Sequence, residues 1–178
     1  EFSLVQATPA NENMERLILR IDQQGLKDPY LEWTKNDKDL MLADKNVYIY
    51  NFYTHKLNKI TTSSDVIMAR LSFNGKYVIY STPEGTYLVK LDGSDKKKVG
   101  QSFDIFNWMP SGNEIIGIKD GLWTKINAAT GETIEYAYNG SKIKDVTSIM
   151  TIERSNNVYY ISDDKLYSLE LQPITIDL

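Results

Sequence analysis

The side chain best suited to proton transfer in this chain is His55, the one histidine among its 178 residues. A hydrolytic Ser-His-Asp site would need a nucleophile and an orienting acid beside it, and nothing near His55 qualifies for either role. The repeat described below aligns His55 with the turn that holds Gly93, where a positive φ is plausible and histidine is tolerated better than most residues. We therefore predict that His55 is a turn residue.

No catalytic spacing occurs elsewhere in the sequence. It contains no Gly-x-Ser-x-Gly elbow, no Gly-rich phosphate loop, no His-Glu-x-x-His and no complete calcium loop. Cysteine is absent, which excludes thiol nucleophiles, disulfides and thiolate metal sites. We therefore expect a protein that is not an enzyme, with no cofactor and no metal.

Acidic side chains recur in the loops predicted between the second and third strands of each repeat. They are Asp44, Glu84, Asp120 and Asp163. These loops share one face of the predicted fold, and a ring of carboxylates there could hold a cation or a basic peptide. The alternative is that the acids are ordinary turn residues, with lysines between them that dilute the negative field.

Aromatic residues offer a second kind of binding surface. Phe52 and Tyr53 lie in a loop and are not required by the repeat, so we predict that they are exposed contact residues, although one of them could cover a sheet edge instead. Trp33 and Trp108 occupy the same repeat position. A sugar-stacking platform is conceivable there, but packing between repeats is the simpler interpretation, because Leu71 stands at this position too.

These candidates are positioned by a pattern that occurs four times. A large apolar residue is followed three positions later by a polar turn, and an aromatic comes twelve or thirteen positions after that. The copies begin at Trp33, Leu71, Trp108 and Ile152, at intervals of 38, 37 and 44 residues. A repeat of this period indicates a repeated architecture, and the longer third interval places an insertion near residues 139–142.

The second copy shows the unit most clearly. Strands are predicted at residues 66–73 and 76–80, joined by Asn74-Gly75, a pair that favours a type I′ hairpin turn in which both residues have positive φ. A third strand follows at residues 86–91 and a short fourth ends near Val99. The sequence therefore predicts an all-β, propeller-like fold of four blades, each with four antiparallel strands, and no helix.

The domain boundaries follow from the repeats. Residues 1–13 are polar and unpatterned and predict a flexible lead-in, and residues 14–178 predict a single domain. Alternating apolar residues predict one extra strand from Met14 to Asp22. This strand is either the last strand of a missing preceding blade or an addition to the final blade that closes the ring. The repeats span residues 28–64, 65–102, 103–147 and 148–178.

Three segments resemble a known repeat. Residues 71–80 read LSFNGKYVIY, residues 85–94 read GTYLVKLDGS, and residues 108–113 read WMPSGN. They resemble the β-propeller repeat of the TolB-like and WD-repeat-like families, with its Trp-Ser-Pro-Asp-Gly-Lys hairpin and a later strand ending in Asp-Gly-Ser. The resemblance covers residues 28–172 and implies a blade rather than an activity.

Such families usually form rings with more than four blades. The resemblance therefore leaves three alternatives open. The chain could be a closed four-bladed ring, a piece of a larger propeller, or a half that is completed by a second copy.

The composition of the chain excludes some classes of binding partner. A net charge of −4 argues against a nucleic-acid partner, and no run of apolar residues is long enough to span a membrane. Absence of cysteine fits an extracytoplasmic bacterial protein, periplasmic or on the cell surface. We expect a non-catalytic module that binds a protein or peptide. A carbohydrate-binding or cell-envelope propeller is the first alternative, and the substrate-gating propeller of a larger hydrolase, which the TolB-like resemblance implies, is the second.

Overall fold

The computed structural model describes residues 3–7, 15–20, 25–34, 38–62, 65–136, 143–152, 155 and 157–170. These residues form β-strands and turns, and none of their segments is a helix long and apolar enough to cross a membrane. In chain order the strands are β1 (Ser3–Ala7), β2 (Glu15–Arg20), β3 (Tyr30–Trp33), β4 (Asp39–Ala43), β5 (Val47–Asn51), β6 (Lys56–Lys59), β7 (Met68–Leu71), β8 (Tyr77–Thr82), β9 (Gly85–Lys90), β10 (Lys97–Gly100), β11 (Ile105–Trp108), β12 (Glu114–Lys119), β13 (Leu122–Asn127), β14 (Thr133–Tyr136), β15 (Val146–Thr151), β16 (Asn157–Ser162) and β17 (Lys165–Glu170).

The strands form four consecutive antiparallel sheets, which we call blades. Blade 1 is β3 to β6, blade 2 is β7 to β10, blade 3 is β11 to β14 and blade 4 is β15 to β17. Each strand pairs with the next strand along the chain, so every blade is a meander built from local hairpins. The predicted all-β, propeller-like class is confirmed. The predicted last strand of blade 4, at 174–178, and the insertion at 139–142 lie outside the described residues.

The start of the chain differs from the prediction in two ways. The expected extra strand is present as β2, but it pairs with β1, which lies inside the predicted lead-in. The two strands form a separate sheet, so the idea that residues 14–22 close the ring by joining blade 4 is wrong. Alternating apolar residues in β2 indicate a strand but do not specify its partner. The three alternatives for ring closure stay predictions.

The hairpin turn of blade 2 also differs from the prediction. Of the pair Asn74-Gly75, only Gly75 has a positive φ, 68°, so the two-residue type I′ turn is wrong. Ser72 and Tyr77 close a longer loop by a backbone hydrogen bond of 2.9 Å. The Ser72 Oγ accepts from the amides of Lys76 and Tyr77, at 3.2 and 3.0 Å, and these side-chain bonds stabilise the longer turn.

The blades pack face to face through apolar clusters. One cluster lies between blades 1 and 2 and another between blades 2 and 3, where Trp108 is 0% exposed. A third joins blades 3 and 4. Hydrogen bonds tie the first strands together, since Trp108 Nε1 donates to the Arg70 carbonyl at 3.2 Å and the Thr151 hydroxyl donates to the Trp108 carbonyl at 2.6 Å.

Trp33 is not buried between blades, and this part of the sequence interpretation is wrong. Trp33 and Trp108 each end the first strand of their blade, yet Trp33 is 58% exposed. The physical reason is the direction in which each side chain points relative to the neighbouring blades. Trp108 faces the preceding blade, whereas the same position in blade 1 faces away from blade 2, as its cross-strand partner Leu40 does. Ile152, assigned to the same position, is also exposed, since Thr151 is the residue in register.

The outer face of blade 4 is exposed as well. Cross-strand partners Ile118 and Trp123 of blade 3 are buried against blade 4, and Trp123 is 1% exposed. The matching pair of blade 4 is Ile161 and Leu166, and Leu166 is 72% exposed. Within the described residues, the stack of blades therefore ends in a face that has the composition of a blade interface.

Tyr80 gives a testable pH dependence. Its side chain is buried between blades 1 and 2, and its hydroxyl has no hydrogen-bond partner among the described residues. Burial, with a smaller contribution from Tyr87, raises the pKa of Tyr80 to about 12. Because an unfolded tyrosine ionises near pH 10, the folded state loses stability as the pH rises from about 10 through 12.

Replacing Tyr80→Phe removes both this ionisation and the unpaired hydroxyl. We expect the free energy of unfolding at pH 7 to be unchanged or higher by up to about 1 kcal/mol. We expect the loss of stability above pH 10 to become smaller, as measured by urea titrations from pH 7 to 11.5. Tyr87→Phe, on the partly exposed ring that stacks on Tyr80, is the matched control. An unchanged alkaline loss in Tyr80→Phe would show that another group causes it.

Candidate functional site

The first strands of blades 1 to 3 border an open cleft of about 410 Å³, which we call the first-strand cleft. β3 supplies one wall, β7 and the turn after it supply another, and blade 3 contributes two residues. The lining residues are Tyr30, Glu32, Trp33, Arg70, Leu71, Ser72, Phe73, Asn107 and Pro110.

The charged residues of the cleft come from one position of the repeat. Glu32 and Arg70 each precede the last residue of their strand, and Asn107 does so in β11. Side chains alternate between the two faces of a strand, so these residues lie on the opposite face from Trp33, Leu71 and Trp108. All three residues are polar, so this position concentrates charge and hydrogen-bonding groups in the cleft.

Glu32 is half-buried in the cleft. One carboxylate oxygen accepts a hydrogen bond from the Leu71 amide at 3.0 Å, which joins blade 1 to blade 2. Burial raises the pKa of Glu32 above its ordinary value, and the Leu71 hydrogen bond and the positive charge of Arg70 oppose that rise. The carboxylate is therefore a weakly solvated group whose charged form is stabilised by the Leu71 amide and by Arg70.

The guanidinium of Arg70 lies over an aromatic ring. Its guanidinium carbon lies 4.3 Å from the centroid of the Tyr30 ring, and its Nη1 donates to the Ala69 carbonyl at 2.9 Å. Burial is the largest cause that raises the pKa of Tyr30; Glu32 adds to the rise and Arg70 opposes it. This cation–π contact and the Ala69 hydrogen bond restrain the guanidinium in the cleft.

Trp33 lines the cleft as well, although its ring lies on the outer face of blade 1. Trp33 stacks on Phe52 with ring centroids 5.0 Å apart, and Phe52 packs edge-on against Tyr50 at the same distance. Phe73 is exposed on the opposite side. Trp33 is therefore an exposed ring that is supported by a second ring.

A second cavity of about 270 Å³ adjoins the cleft. Tyr30 and Arg70 line both cavities, so the stacked pair lies on their common boundary. The other lining residues include the acids Asp28 and Asp44 and the exposed Ile67. The two cavities together run along the facing first strands of blades 1 and 2.

The predicted aromatic candidates lie near this surface, with different exposures. Phe52 is half-buried because it is sandwiched between Trp33 and Tyr50, and it supports Trp33. Tyr53 is 74% exposed, and the Lys38 ammonium lies 5.6 Å from its ring centroid. A binding role for Phe52 and Tyr53 stays a prediction.

The predicted acids lie in the turns between second and third strands, as expected. Asp44 accepts a hydrogen bond from the Lys27 amide at 3.2 Å, and Asp120 and Asp163 have φ values of 51° and 49°. Glu84 lies in the turn between β8 and β9. Across the described residues, no three acidic or histidine side chains come close enough together to hold a metal ion. These contacts are typical of turn residues, and a binding role for the four acids stays a prediction.

His55 has the backbone that the repeat predicted. Its φ is 54°, and its Nδ1 lies 3.1 Å from the Tyr50 hydroxyl. The interpretation of His55 as a turn residue is confirmed.

Sequence reasoning missed Tyr30, Glu32 and Arg70. A signal was present, because LEW, ARL and FNW each place a polar residue before the last residue of a first strand. A repeat alignment that compared polar rather than apolar positions would have found Glu32 and Arg70. Tyr30 had no such signal, since its role depends on the contact with Arg70.

Comparison with known proteins supports the fold. No known family profile matches the sequence, and no curated protein matches it. Among solved structures, the dihydro-heme d1 dehydrogenase NirN is 13% identical, with a TM-score of 0.60 over 80% of this chain and 34% of NirN. An auxiliary nutrient binding protein from Bacteroides thetaiotaomicron is 13% identical, with a TM-score of 0.57 over 75% of this chain and 35% of its own.

A third similar structure is the oligogalacturonate lyase of Vibrio parahaemolyticus, 12% identical with a TM-score of 0.59 over 76% of this chain and 48% of the lyase. NirN and the lyase are β-propeller-type folds, so the chain has the fold of a partial β-propeller. It spans between a third and a half of the length of these proteins. At such identities the likeness concerns the fold alone.

Proposed function

We propose that this chain is a non-catalytic β-propeller module that binds a peptide segment of a protein partner in the first-strand cleft. The observation that carries the proposal is the exposed, ring-supported Trp33 beside Glu32 and the stacked Arg70. Tryptophan, tyrosine and arginine are the residues that contribute most to binding energy at protein interfaces. All three occur here within one cleft.

Two features favour an extended segment as the ligand. The cleft is open rather than enclosed, and it continues past Arg70 into the second cavity. A peptide lying along the first strands of blades 1 and 2 would reach both cavities. The protein-binding role therefore agrees with the shape of the surface as well as its composition.

A selection from a displayed peptide library tests the proposal. Peptides recovered on the wild type are measured by calorimetry against Trp33→Ala and against Tyr53→Ala, which removes an exposed aromatic outside the cleft lining. We expect Trp33→Ala to weaken binding at least tenfold, about 1.4 kcal/mol, and Tyr53→Ala to change it little. Peptides that bind both variants equally would place the interface elsewhere.

The second candidate is a carbohydrate-binding or cell-envelope propeller. The exposed Tyr53 ring favours it, and two similar structures carry the descriptions nutrient binding protein and oligogalacturonate lyase. A glycan array decides between the candidates. Glycan binding that is lost in Tyr53→Ala with the fold intact would favour this one.

We also propose a TolB-like or WD-repeat-like classification and an extracytoplasmic location. The hairpin motifs and the absence of cysteine support them. Because the chain spans at most about half of the similar natural proteins, a role as the substrate-gating part of a larger hydrolase is the remaining alternative. A Gly-x-Ser-x-Gly region in the same reading frame would support that role.

A further inference from the structure

We propose that Arg70 binds a carboxylate of the peptide ligand, either the carboxyl terminus or an Asp or Glu side chain. This inference rests on the proposed peptide-binding function and names the group that the cleft recognises. The observation behind it is that the Arg70 guanidinium lies over the Tyr30 ring and donates few hydrogen bonds to the protein itself.

A guanidinium has five N–H donors. Among the described residues, Arg70 makes one hydrogen bond, from Nη1 to the Ala69 carbonyl, and it forms no ion pair. Glu32, the acid that lines the same cleft, directs its carboxylate to the Leu71 amide. Arg70 lines both cavities, so a ligand in either one would lie beside its side chain.

The geometry suits a planar anion. Arginine presents its N–H groups as a rigid fork that matches the two oxygens of a carboxylate. The contact with the Tyr30 ring at 4.3 Å and the Ala69 hydrogen bond restrain the side chain before the ligand arrives, which lowers the entropy lost on binding. Partial burial strengthens a charge-assisted hydrogen bond relative to one in open water.

The other groups of the cleft favour a peptide over an acidic sugar. The Asn107 amide is engaged at both ends, donating to the Ile149 carbonyl at 3.0 Å and accepting from the Trp108 amide at 2.8 Å. The Ser72 hydroxyl accepts from two backbone amides and donates to Asn74. Few polar groups are left for the many hydroxyls of a sugar.

Apolar groups beside Arg70 suit the side chain next to the carboxylate. Trp33, Phe73 and Pro110 supply this surface. We therefore expect the ligand to carry an apolar residue beside its carboxylate. Glu32 lowers the affinity for such an anion through its own negative charge, so removing that charge should tighten binding.

The test uses four probes on the intact chain. Three of them are acetylated pentapeptides of apolar residues: one with a free C-terminal carboxylate, one with a C-terminal amide, and one with a C-terminal amide and a single internal Asp. The fourth is a galacturonate oligomer. Wild type, Arg70→Lys, Arg70→Gln and Glu32→Gln are compared by calorimetry, and circular dichroism confirms that each variant is folded.

We expect the wild type to prefer a carboxylate-bearing peptide at least tenfold over the plain amide. The acid and internal-Asp probes show which carboxylate is used. Arg70→Lys should lose most of the preference because it lacks the fork, Arg70→Gln should lose all of it, and Glu32→Gln should increase it.

Equal affinity for the plain amide, the C-terminal acid and the internal-Asp peptides would overturn the role of Arg70 while leaving peptide binding in the cleft intact. A preference that survives in Arg70→Gln would have the same meaning. Binding of the galacturonate oligomer without binding of any peptide would overturn this inference and the proposed function together.

Discussion

Trp108→Ala is expected to lower the free energy of unfolding by about 3–5 kcal/mol. The indole is fully buried between blades 2 and 3, and its Nε1 donates to the Arg70 carbonyl. Truncation leaves a large cavity and removes a hydrogen bond between two first strands. Urea titrations followed by far-UV circular dichroism give the value.

The chain supplies a matched control at the same repeat position. Trp33→Ala removes an indole that is mostly exposed, so we expect a loss below about 1 kcal/mol. Equal losses in the two variants would contradict the different burial of these two tryptophans. The contrast also allows Trp33→Ala to be used in binding experiments without unfolding the protein.

Gly117→Ala is expected to be the second large effect, a loss of about 1–3 kcal/mol or more. Gly117 lies in β12, and a Cβ there would stand 2.5 Å from the Phe103 ring and 2.8 Å from the Ile105 carbonyl. The carbonyl belongs to the paired strand β11, so the sheet itself must shift. Thermal unfolding of the variant measures the loss.

Gly100→Ala is the control for Gly117→Ala. Its Cβ would meet only side chains, with the Ile126 methyl at 3.2 Å as the nearest atom, and that side chain can move. A smaller loss than in Gly117→Ala is therefore expected. A larger loss in Gly100→Ala would show that close approach of backbone does not decide the cost.

The blades were predictable from the sequence because they are local. Each hairpin joins strands that are neighbours in the chain, so turn residues and alternating apolar residues carry the information. Trp108 was interpreted correctly for the same reason. Blade 3 has a neighbouring blade on both of its faces, so an apolar residue that follows the repeated core pattern is buried there.

The exposure of Trp33 was not predictable from the repeat, since the pattern does not state which face of a blade is covered. The same residue type that is buried in blade 3 becomes a surface residue on the outer face of blade 1. The turn after Ser72 depended on side-chain hydrogen bonds that the Asn-Gly pair alone does not reveal. The stacking of Arg70 on Tyr30 joins residues 40 positions apart in different blades.

Acrylamide quenching of Trp33, with and without a selected peptide, tests the binding role of the first-strand cleft most directly. Trp108 and Trp123, the other two tryptophans, are buried, so the readily quenched fluorescence comes from Trp33 and should disappear in Trp33→Phe. We predict that a saturating peptide protects Trp33 and removes most of the readily quenched signal. A peptide that binds tightly while Trp33 remains equally accessible would contradict the cleft as the binding site.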